Sequence, residues 1–141
     1  MRFLHFFPLT LLCVALIFVL SFFTPPSTPL SEVAYIDKWT HLVMYGGTVG
    51  MFWIEYLRAN LRGNLRLSGV QLWLVTLIGP VLLGGLIELL QAYCTGGRRS
   101  GEWLDWVADS MGVVLACVAG CLMKRVARRK STDSSRDADD D

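Results

Sequence analysis

The chain has 141 residues, of which 53% are hydrophobic and only 18% are charged, and its formal net charge is +1. A soluble domain carries about 25% charged residues, so this chain lacks the polar surface needed to cover a core in water. The nearly neutral charge argues against a nucleic-acid partner, because proteins that bind nucleic acid carry an excess of basic residues. The composition therefore favours an integral membrane protein over a soluble enzyme or a disordered protein.

Four apolar stretches follow one another, each close to the ~20 residues that a helix needs to cross ~30 Å of hydrocarbon. They cover roughly Phe3–Phe23, Trp39–Leu57, Val70–Tyr93 and Trp103–Met123. Since lipid offers the backbone no hydrogen-bond partner, spans of this length are expected to be helical. The sequence predicts an all-α fold, a four-helix transmembrane bundle in one domain over residues 1–130, and a disordered acidic tail over residues 131–141.

The first stretch is predicted to remain in the protein as a helix. Its apolar run is longer than the roughly 7–15 residues of a signal-peptide core. Thr24-Pro25-Pro26 follows it where a signal peptide would have small residues for cleavage. The four cysteines form no metal-binding or redox motif, and we interpret them as small apolar packing residues.

Basic residues set the predicted orientation, because cytoplasmic loops of membrane proteins carry an excess of Lys and Arg. In a four-span arrangement, the basic residues on one side are Arg2, Arg58, Arg62, Arg66, Lys124, Arg125, Arg128, Arg129 and Lys130. Those on the other side are Lys38, Arg98 and Arg99. Both termini are therefore predicted to lie in the cytoplasm.

Ionisable and amide residues in the spans are not scattered. Because consecutive spans alternate in direction, the start of the second, the end of the third and the start of the fourth meet in one layer near the outer surface. The residues of this layer are Asp37, Lys38, His41, Glu88, Gln91, Asp105 and Asp109, with Arg98 and Arg99 in the loop above. An ionisable group costs roughly 2.5–3.5 kcal/mol at the centre of a span, so this convergence indicates function. Gly79-Pro80 is expected to bend the third helix and to open room beneath the layer.

Helical spacing directs these groups toward one another. Asp37, His41 and Tyr45 are each four residues apart and share one face of the second helix. Asp109 is followed on its own face by Gly112, and small residues of this kind let membrane helices approach closely. The polar groups are therefore expected to lie on contact faces between helices.

Several of these residues also have structural interpretations. Asp37 and Asp105 lie near helix N-termini, where a carboxylate caps backbone amides. Lys38 can extend its ammonium toward the headgroups, and His41 can be a packing histidine held by acidic neighbours. The two loop arginines can be ordinary loop charges or can bind lipid phosphate.

Three polar motifs occur in a fixed order in the last three spans. They are Asp37-Lys38-x-x-His41-x-x-x-Tyr45, then Glu88-x-x-Gln91, then Arg99-Ser100 followed by Asp105-x-x-x-Asp109-x-x-Gly112. This pattern resembles the VanZ-like family of small bacterial membrane proteins over roughly residues 36–120, although the family more often has Asn at position 109. The founding member is associated with low-level resistance to the glycopeptide teicoplanin. The resemblance implies a multi-pass bacterial plasma-membrane protein that acts at the cell envelope, with a link to antibiotic resistance.

The leading hypothesis is an outer-leaflet pocket that binds an envelope lipid or a lipid-linked cell-wall component, with Arg98 and Arg99 meeting an anionic headgroup. The alternative is an intramembrane enzyme that uses His41, Glu88 or Asp109 as acid or base, or through a bound metal. We predict no cofactor and no metal, because one histidine among acids is a loose signal. Transport and a purely structural role are less favoured, since the polar layer stops in the outer half and interhelical polar contacts are weak.

Overall fold

The computed structural model describes residues 3–23, 35–96 and 101–137. Within these ranges the structure is helical and contains no β-strand, which confirms the all-α prediction. After a short 3-10 turn, the described helices are α1 (Pro8–Phe22), α2 (Ile36–Leu61), α3 (Gly69–Cys94) and α4 (Trp103–Asp137).

Two of these helices, α3 and the Trp103–Arg129 part of α4, are long and apolar enough to cross a membrane. Only 22% of the most apolar window of α3 and 39% of that of α4 are buried inside the protein, so most of their side chains face outward. In the described residues α1 is apolar but shorter, and α2 carries charged residues at both ends. The structure therefore supports a helical membrane protein with two candidate spans.

The N-terminus of α1 is held by an acidic side chain of α2. Pro8 occupies the first helical position, where a backbone N–H would have no helical acceptor. The backbone N–H groups of Leu9 and Thr10 donate to the two carboxylate oxygens of Glu55 at 2.9 and 3.0 Å, and the Thr10 hydroxyl donates at 2.7 Å. Glu55 is buried, and its charge lies at the positive end of the α1 dipole. This contact fixes α1 against α2.

Replacing Glu55 by glutamine is expected to lower the free energy of unfolding by about 1–3 kcal/mol, because a buried helix terminus loses a charged acceptor. Thermal unfolding of the purified protein in detergent measures the change. Thr10→Val removes only the hydroxyl bond and should cost about 1 kcal/mol. Equal melting temperatures for Glu55→Gln and the wild type would show that this carboxylate does not hold α1.

Helices α2 and α4 pack closely through glycines. A Cβ atom on Gly112 would overlap the backbone carbonyl of Leu42 and would lie 3.0 Å from the Gly46 nitrogen. A Cβ atom on Gly120 would overlap the indole ring of Trp53. The close approach expected from the small residues of the fourth span is therefore confirmed. It brings the N-terminal ends of α2 and α4 together.

Helix α3 is irregular next to Gly79-Pro80, where the sequence predicts a bend. A π-helical segment, Leu74–Ile78, directly precedes Gly79-Pro80. Pro80 has no N–H, so the carbonyl of Thr76 four residues earlier lacks its usual helical donor. The thiol of Cys117 donates to this carbonyl at 3.2 Å. All four cysteines are free, as expected, and this one also satisfies a buried backbone group.

Helix α4 extends beyond its apolar part. Its backbone is helical as far as Asp137, within the stretch 131–141 that the composition predicts to be a disordered tail. A helix already formed by the preceding apolar segment extends at one hydrogen bond per added residue, without a new nucleation step. Residues 138–141 lie outside the described part of the chain.

Candidate functional site

Polar residues of three helices meet at one end of the bundle, as the sequence predicts. They come from the start of α2, the C-terminal end of α3 and the start of α4 together with the residue before it. Two linked sets can be distinguished. The lysine group consists of Lys38, Asp37, Glu102 and Asp105. The buried triad consists of His41, Glu88 and Asp109.

The lysine group is organised by one ammonium. Lys38 Nζ donates to Asp37 Oδ2 at 2.6 Å, to Glu102 Oε2 at 2.8 Å and to Asp105 Oδ1 at 2.9 Å. The side chain of Asp105 is buried, whereas those of Asp37 and Glu102 are about half exposed. The ammonium therefore ties the start of α2 to the start of α4.

Lys38 and Asp37 precede the predicted second span, and each alters the titration of the other. Burial alone lowers the pKa of Lys38, but hydrogen bonds to three carboxylates hold it above the usual 10.5. Burial raises the pKa of Asp37, but the Lys38 ammonium outweighs this effect and holds that pKa below the usual 3.8. While its carboxylate partners are ionised, Lys38 therefore stabilises the fold below about pH 10.5, and this contribution is lost as the pH rises through its raised pKa. The contribution of Asp37 is lost as the pH falls below about 3.8.

Replacing Lys38 by methionine is expected to lower the unfolding free energy at pH 7 by about 2 kcal/mol, mainly because buried Asp105 loses its cation. The difference from the wild type should shrink as the pH falls below about 3.8, because Asp37 is then protonated and its pairing with Lys38 is lost. Thermal unfolding in detergent from pH 3 to pH 8 measures both effects, and Lys38→Arg is the charge-preserving control. A constant difference across this range would contradict the assignment.

The buried triad lies directly below the lysine group. His41 Nδ1 lies 3.0 Å from Asp109 Oδ1 and 3.9 Å from Glu88 Oε1, while His41 Nε2 faces Asp105 Oδ2 at 3.9 Å. The exposed fractions are 6% for His41, 7% for Glu88 and 1% for Asp109. Asp105 therefore links the two sets, because one of its oxygens accepts from Lys38 and the other faces the imidazole.

Glu88 is held at only one of its two oxygens. The backbone N–H of Glu102 donates to Oε2 at 2.9 Å. A Cβ atom on Gly101 would overlap the Glu88 carbonyl, so only a glycine allows this segment to lie against the end of α3. The buried Oε1 atom has no hydrogen-bond partner among the described residues. One carboxylate oxygen is thus positioned while the other stays available.

A glycine also makes room for Asp109. A Cβ atom on Gly84 would lie 2.9 Å from Asp109 Oδ2, which is closer than ordinary packing allows. The α2–α4 contact at Gly112 lies one turn further along α4 and keeps Asp109 beside α2. The carboxylate is therefore enclosed by α2, α3 and α4 at once.

Tyr45 lies one turn below His41 on the same face of α2, as its spacing predicts. It is buried, and its hydroxyl has no hydrogen-bond partner among the described residues. Its ring lines a mostly apolar cavity of about 360 Å³ between α1, α2 and the irregular part of α3. Gly79 and Pro80 line the same cavity, which is the room expected beneath the polar layer.

Of the remaining predicted pocket residues, Gln91 is turned away from the cluster. Gln91 Nε2 donates to the carbonyl of Ser21 at 2.7 Å, so this side chain joins α3 to α1. Arg98 and Arg99 lie outside the described residues. Glu102 belongs to the site but was not predicted, although it directly precedes Trp103, the predicted start of the last span. Glu55 was also missed, although it is an acidic residue inside a predicted span.

A groove runs along the outer surface of α3 and α4 and reaches the buried triad. Its volume is about 590 Å³, and Glu88 is among the residues that line it. The other lining residues are mainly apolar, and several of the large ones, such as Leu82, Leu89 and Tyr93, are exposed. Trp106 lines it as well and donates its indole N–H to the Val81 carbonyl at 2.9 Å. An apolar surface thus leads to a buried carboxylate.

The cluster as a whole is acidic. In the described part of the chain its five carboxylates, which belong to Asp37, Glu88, Glu102, Asp105 and Asp109, face one lysine and one histidine. Such a site attracts cations and hydrogen-bond donors. The imidazole, within hydrogen-bond distance of one carboxylate, is also able to accept or deliver a proton. Comparison with protein-family models, curated proteins and solved structures finds no match to this chain.

Proposed function

We propose that this chain is a VanZ-like multi-pass protein of the bacterial plasma membrane that binds an envelope lipid or a lipid-linked cell-wall component. In this proposal all four helices cross the membrane, both termini lie in the cytoplasm, and the polar cluster lies in the outer leaflet. The observation that carries it is the α3–α4 groove, an exposed apolar surface that leads to buried Glu88.

The shape of the groove suits a molecule with an apolar tail and a polar head. Small-molecule sites measure about 300–1,000 Å³ and are mostly apolar with a few placed polar groups. The groove, at about 590 Å³, falls within this range. Leu82 and Leu86 are exposed walls for an acyl or prenyl chain, and Glu88 offers a polar contact at one point.

The position of the groove relative to the membrane supports an outer-leaflet site. Tyr93 and Trp103 line it near the C-terminal end of α3 and the start of α4, and aromatic residues of this kind gather at the membrane–water interface. In sequence, Arg98 and Arg99 join these two helix ends. Arginine forms paired hydrogen bonds with phosphate, so these residues are suited to an anionic headgroup.

Photo-crosslinking tests the proposal. The full chain in nanodiscs is exposed to a polyprenyl diphosphate that carries a diazirine in its tail, and labelled residues are mapped by mass spectrometry. Glu88→Ala removes the polar contact, and Ala92→Trp fills the groove. Each variant should reduce labelling at least about tenfold, equal to about 1.4 kcal/mol. Teicoplanin susceptibility of cells with matched membrane abundance gives a second readout.

Val43→Trp is the matched control, because Val43 is an exposed apolar residue of α2 that does not line the groove. It should leave labelling unchanged. Equal labelling of Val43→Trp, Ala92→Trp and Glu88→Ala would contradict lipid binding in the groove. Labelling with a diazirine phosphatidylglycerol at the same strength would show a site for lipid tails without selection of the diphosphate.

A second candidate is an intramembrane enzyme that acts on such a lipid. The observation that favours it is the 3.0 Å separation of His41 Nδ1 and Asp109 Oδ1, with Glu88 beside them. A carboxylate that orients an imidazole is the usual arrangement of a general base. Mass spectrometry of the incubated diphosphate lipid would detect a product, and His41→Gln should abolish its formation. An unaltered lipid after extended incubation would leave binding as the function.

A further inference from the structure

The buried triad has a chemical property that lipid binding does not require. One imidazole nitrogen and two carboxylates face one another, and all three ligand atoms lie within 4.8 Å of each other. Imidazole and carboxylate together are ligands for divalent transition metals. We propose that His41, Glu88 and Asp109 bind one divalent transition-metal ion of the Zn²⁺ class. The inference goes beyond the proposed function and does not rest on it.

The distances fit a common ion. Zinc binds histidine nitrogen at about 2.0–2.1 Å and carboxylate oxygen at about 2.0–2.2 Å, so two ligand atoms of a tetrahedral site lie about 3.4 Å apart. His41 Nδ1 lies 3.0 Å from Asp109 Oδ1 and 3.9 Å from Glu88 Oε1. These two separations lie on either side of the required value, and the third, between the ligand oxygens of Glu88 and Asp109, is within 4.8 Å, so modest side-chain shifts would bring the three atoms to one ion.

The free oxygen of Glu88 is independent support. Glu88 is only 7% exposed, its Oε2 atom is fixed by the Glu102 backbone N–H, and its Oε1 atom has no hydrogen-bond partner among the described residues. Buried polar atoms are nearly always satisfied, and an unpaired buried carboxylate oxygen is costly. This oxygen faces His41 Nδ1. A cation between them would satisfy it.

The surroundings of His41 resemble the outer shell of a metal site. An imidazole that binds a metal through one nitrogen usually donates its other N–H to a carboxylate or carbonyl. In this structure His41 Nε2 faces Asp105 Oδ2 at 3.9 Å, and the other oxygen of Asp105 accepts from Lys38. The 3.0 Å contact with Asp109 Oδ1 holds the imidazole with Nδ1 toward the triad carboxylates, and Asp105 lies on its Nε2 side, close enough to act as the outer partner once a metal occupies Nδ1.

The charge balance of the cluster also favours a bound cation. In the described residues the hydrogen bonds of Lys38 go to Asp37, Glu102 and Asp105, and none goes to the triad. Among the described residues, the two triad carboxylates are therefore buried without a permanently charged partner, and buried charges are tolerated when they are paired or bind metal. Because Glu88 also lines the groove, an ion here would offer an anionic headgroup a positive partner inside an acidic cluster.

Metal titration of the full chain tests the inference. The protein, purified without a histidine tag and treated with chelator in detergent, is titrated with Zn²⁺ alone. We expect one ion per chain, and His41→Gln and Asp109→Asn should each weaken binding at least about tenfold, the scale on which even outer-shell changes act. Asp105→Asn should weaken it less, because Asp105 acts through His41. Mg²⁺ and Ca²⁺ should bind more weakly than Zn²⁺.

His5→Gln is the matched control, since His5 and His41 are the two histidines of the chain. It should leave affinity unchanged. X-ray absorption of the Zn²⁺-loaded wild type keeps the test decisive if a variant fails to fold, and it should show one imidazole with oxygen ligands near 2.0–2.2 Å. Sulfur ligands near 2.3 Å, less than one ion per chain, or equal affinity in Asp109→Asn would overturn the inference. Photo-crosslinking of the lipid probe without metal is measured separately, so failure of one proposal does not imply failure of the other.

Discussion

Replacing Gly112 by alanine is expected to push α2 and α4 apart and to dismantle the polar cluster without altering any polar side chain. The added Cβ would overlap the Leu42 carbonyl and would lie 3.0 Å from the Gly46 nitrogen. Both obstacles are backbone atoms, so no rotation of a side chain relieves the overlap. The His41–Asp109 contact, one turn away across the same pair of helices, should open. A loss of about 3 kcal/mol or more is expected, at the upper end of overpacking effects.

Thermal unfolding in detergent measures this loss, and crosslinking of cysteines introduced across the α2–α4 contact measures the separation of the helices. Gly47→Ala is the matched control, because a Cβ on Gly47 meets no atom within 4 Å. That variant should be as stable as the wild type or slightly more stable, since alanine favours the helix over glycine. Equal stability of Gly112→Ala and Gly47→Ala would show that close helix packing does not support the site.

The predictable parts of this molecule follow from periodic patterns. Long apolar stretches predict helices, and the start predicted for the last span, Trp103, is the first residue of α4. Alternating helix direction then places distant polar residues in one layer, which is why His41, Glu88 and Asp109 were expected together. The four-residue spacing on α2 likewise predicts that Tyr45 lies one turn below His41. These features depend on helix geometry alone.

The parts that could not be predicted depend on which helix faces which, and on the direction of individual side chains. Glu88 and Gln91 are three residues apart, yet the first faces α2 and α4 while the second donates to the Ser21 carbonyl of α1. Glu55 binds the start of α1 only because those two helices are neighbours. Glu102 joins the site through a loop whose path no periodicity determines. Tertiary contacts therefore determine which neighbour each polar side chain binds, and helical spacing alone does not.

Replacing Asp109 by leucine is expected to have the largest effect of any single change within the cluster. Asp109 is only 1% exposed, and its carboxylate lies 3.0 Å from His41 Nδ1 and tightly against Gly84. An apolar side chain leaves the buried imidazole without its partner and crowds α3. Removing one member of a buried polar pair costs about 3–5 kcal/mol. Thermal unfolding should show this loss, and zinc binding and lipid labelling should disappear with it.

Two further variants separate folding from chemistry. Asp109→Asn keeps an oxygen near His41 and should cost roughly 1 kcal/mol, while binding of the metal still falls. The double variant His41→Leu with Asp109→Leu removes both partners, and apolar replacement of a whole buried pair is often neutral in stability. It should therefore recover much of the stability lost in Asp109→Leu but none of the zinc binding. Recovery of both stability and zinc binding would mean that zinc does not bind at the triad and that the triad serves packing alone.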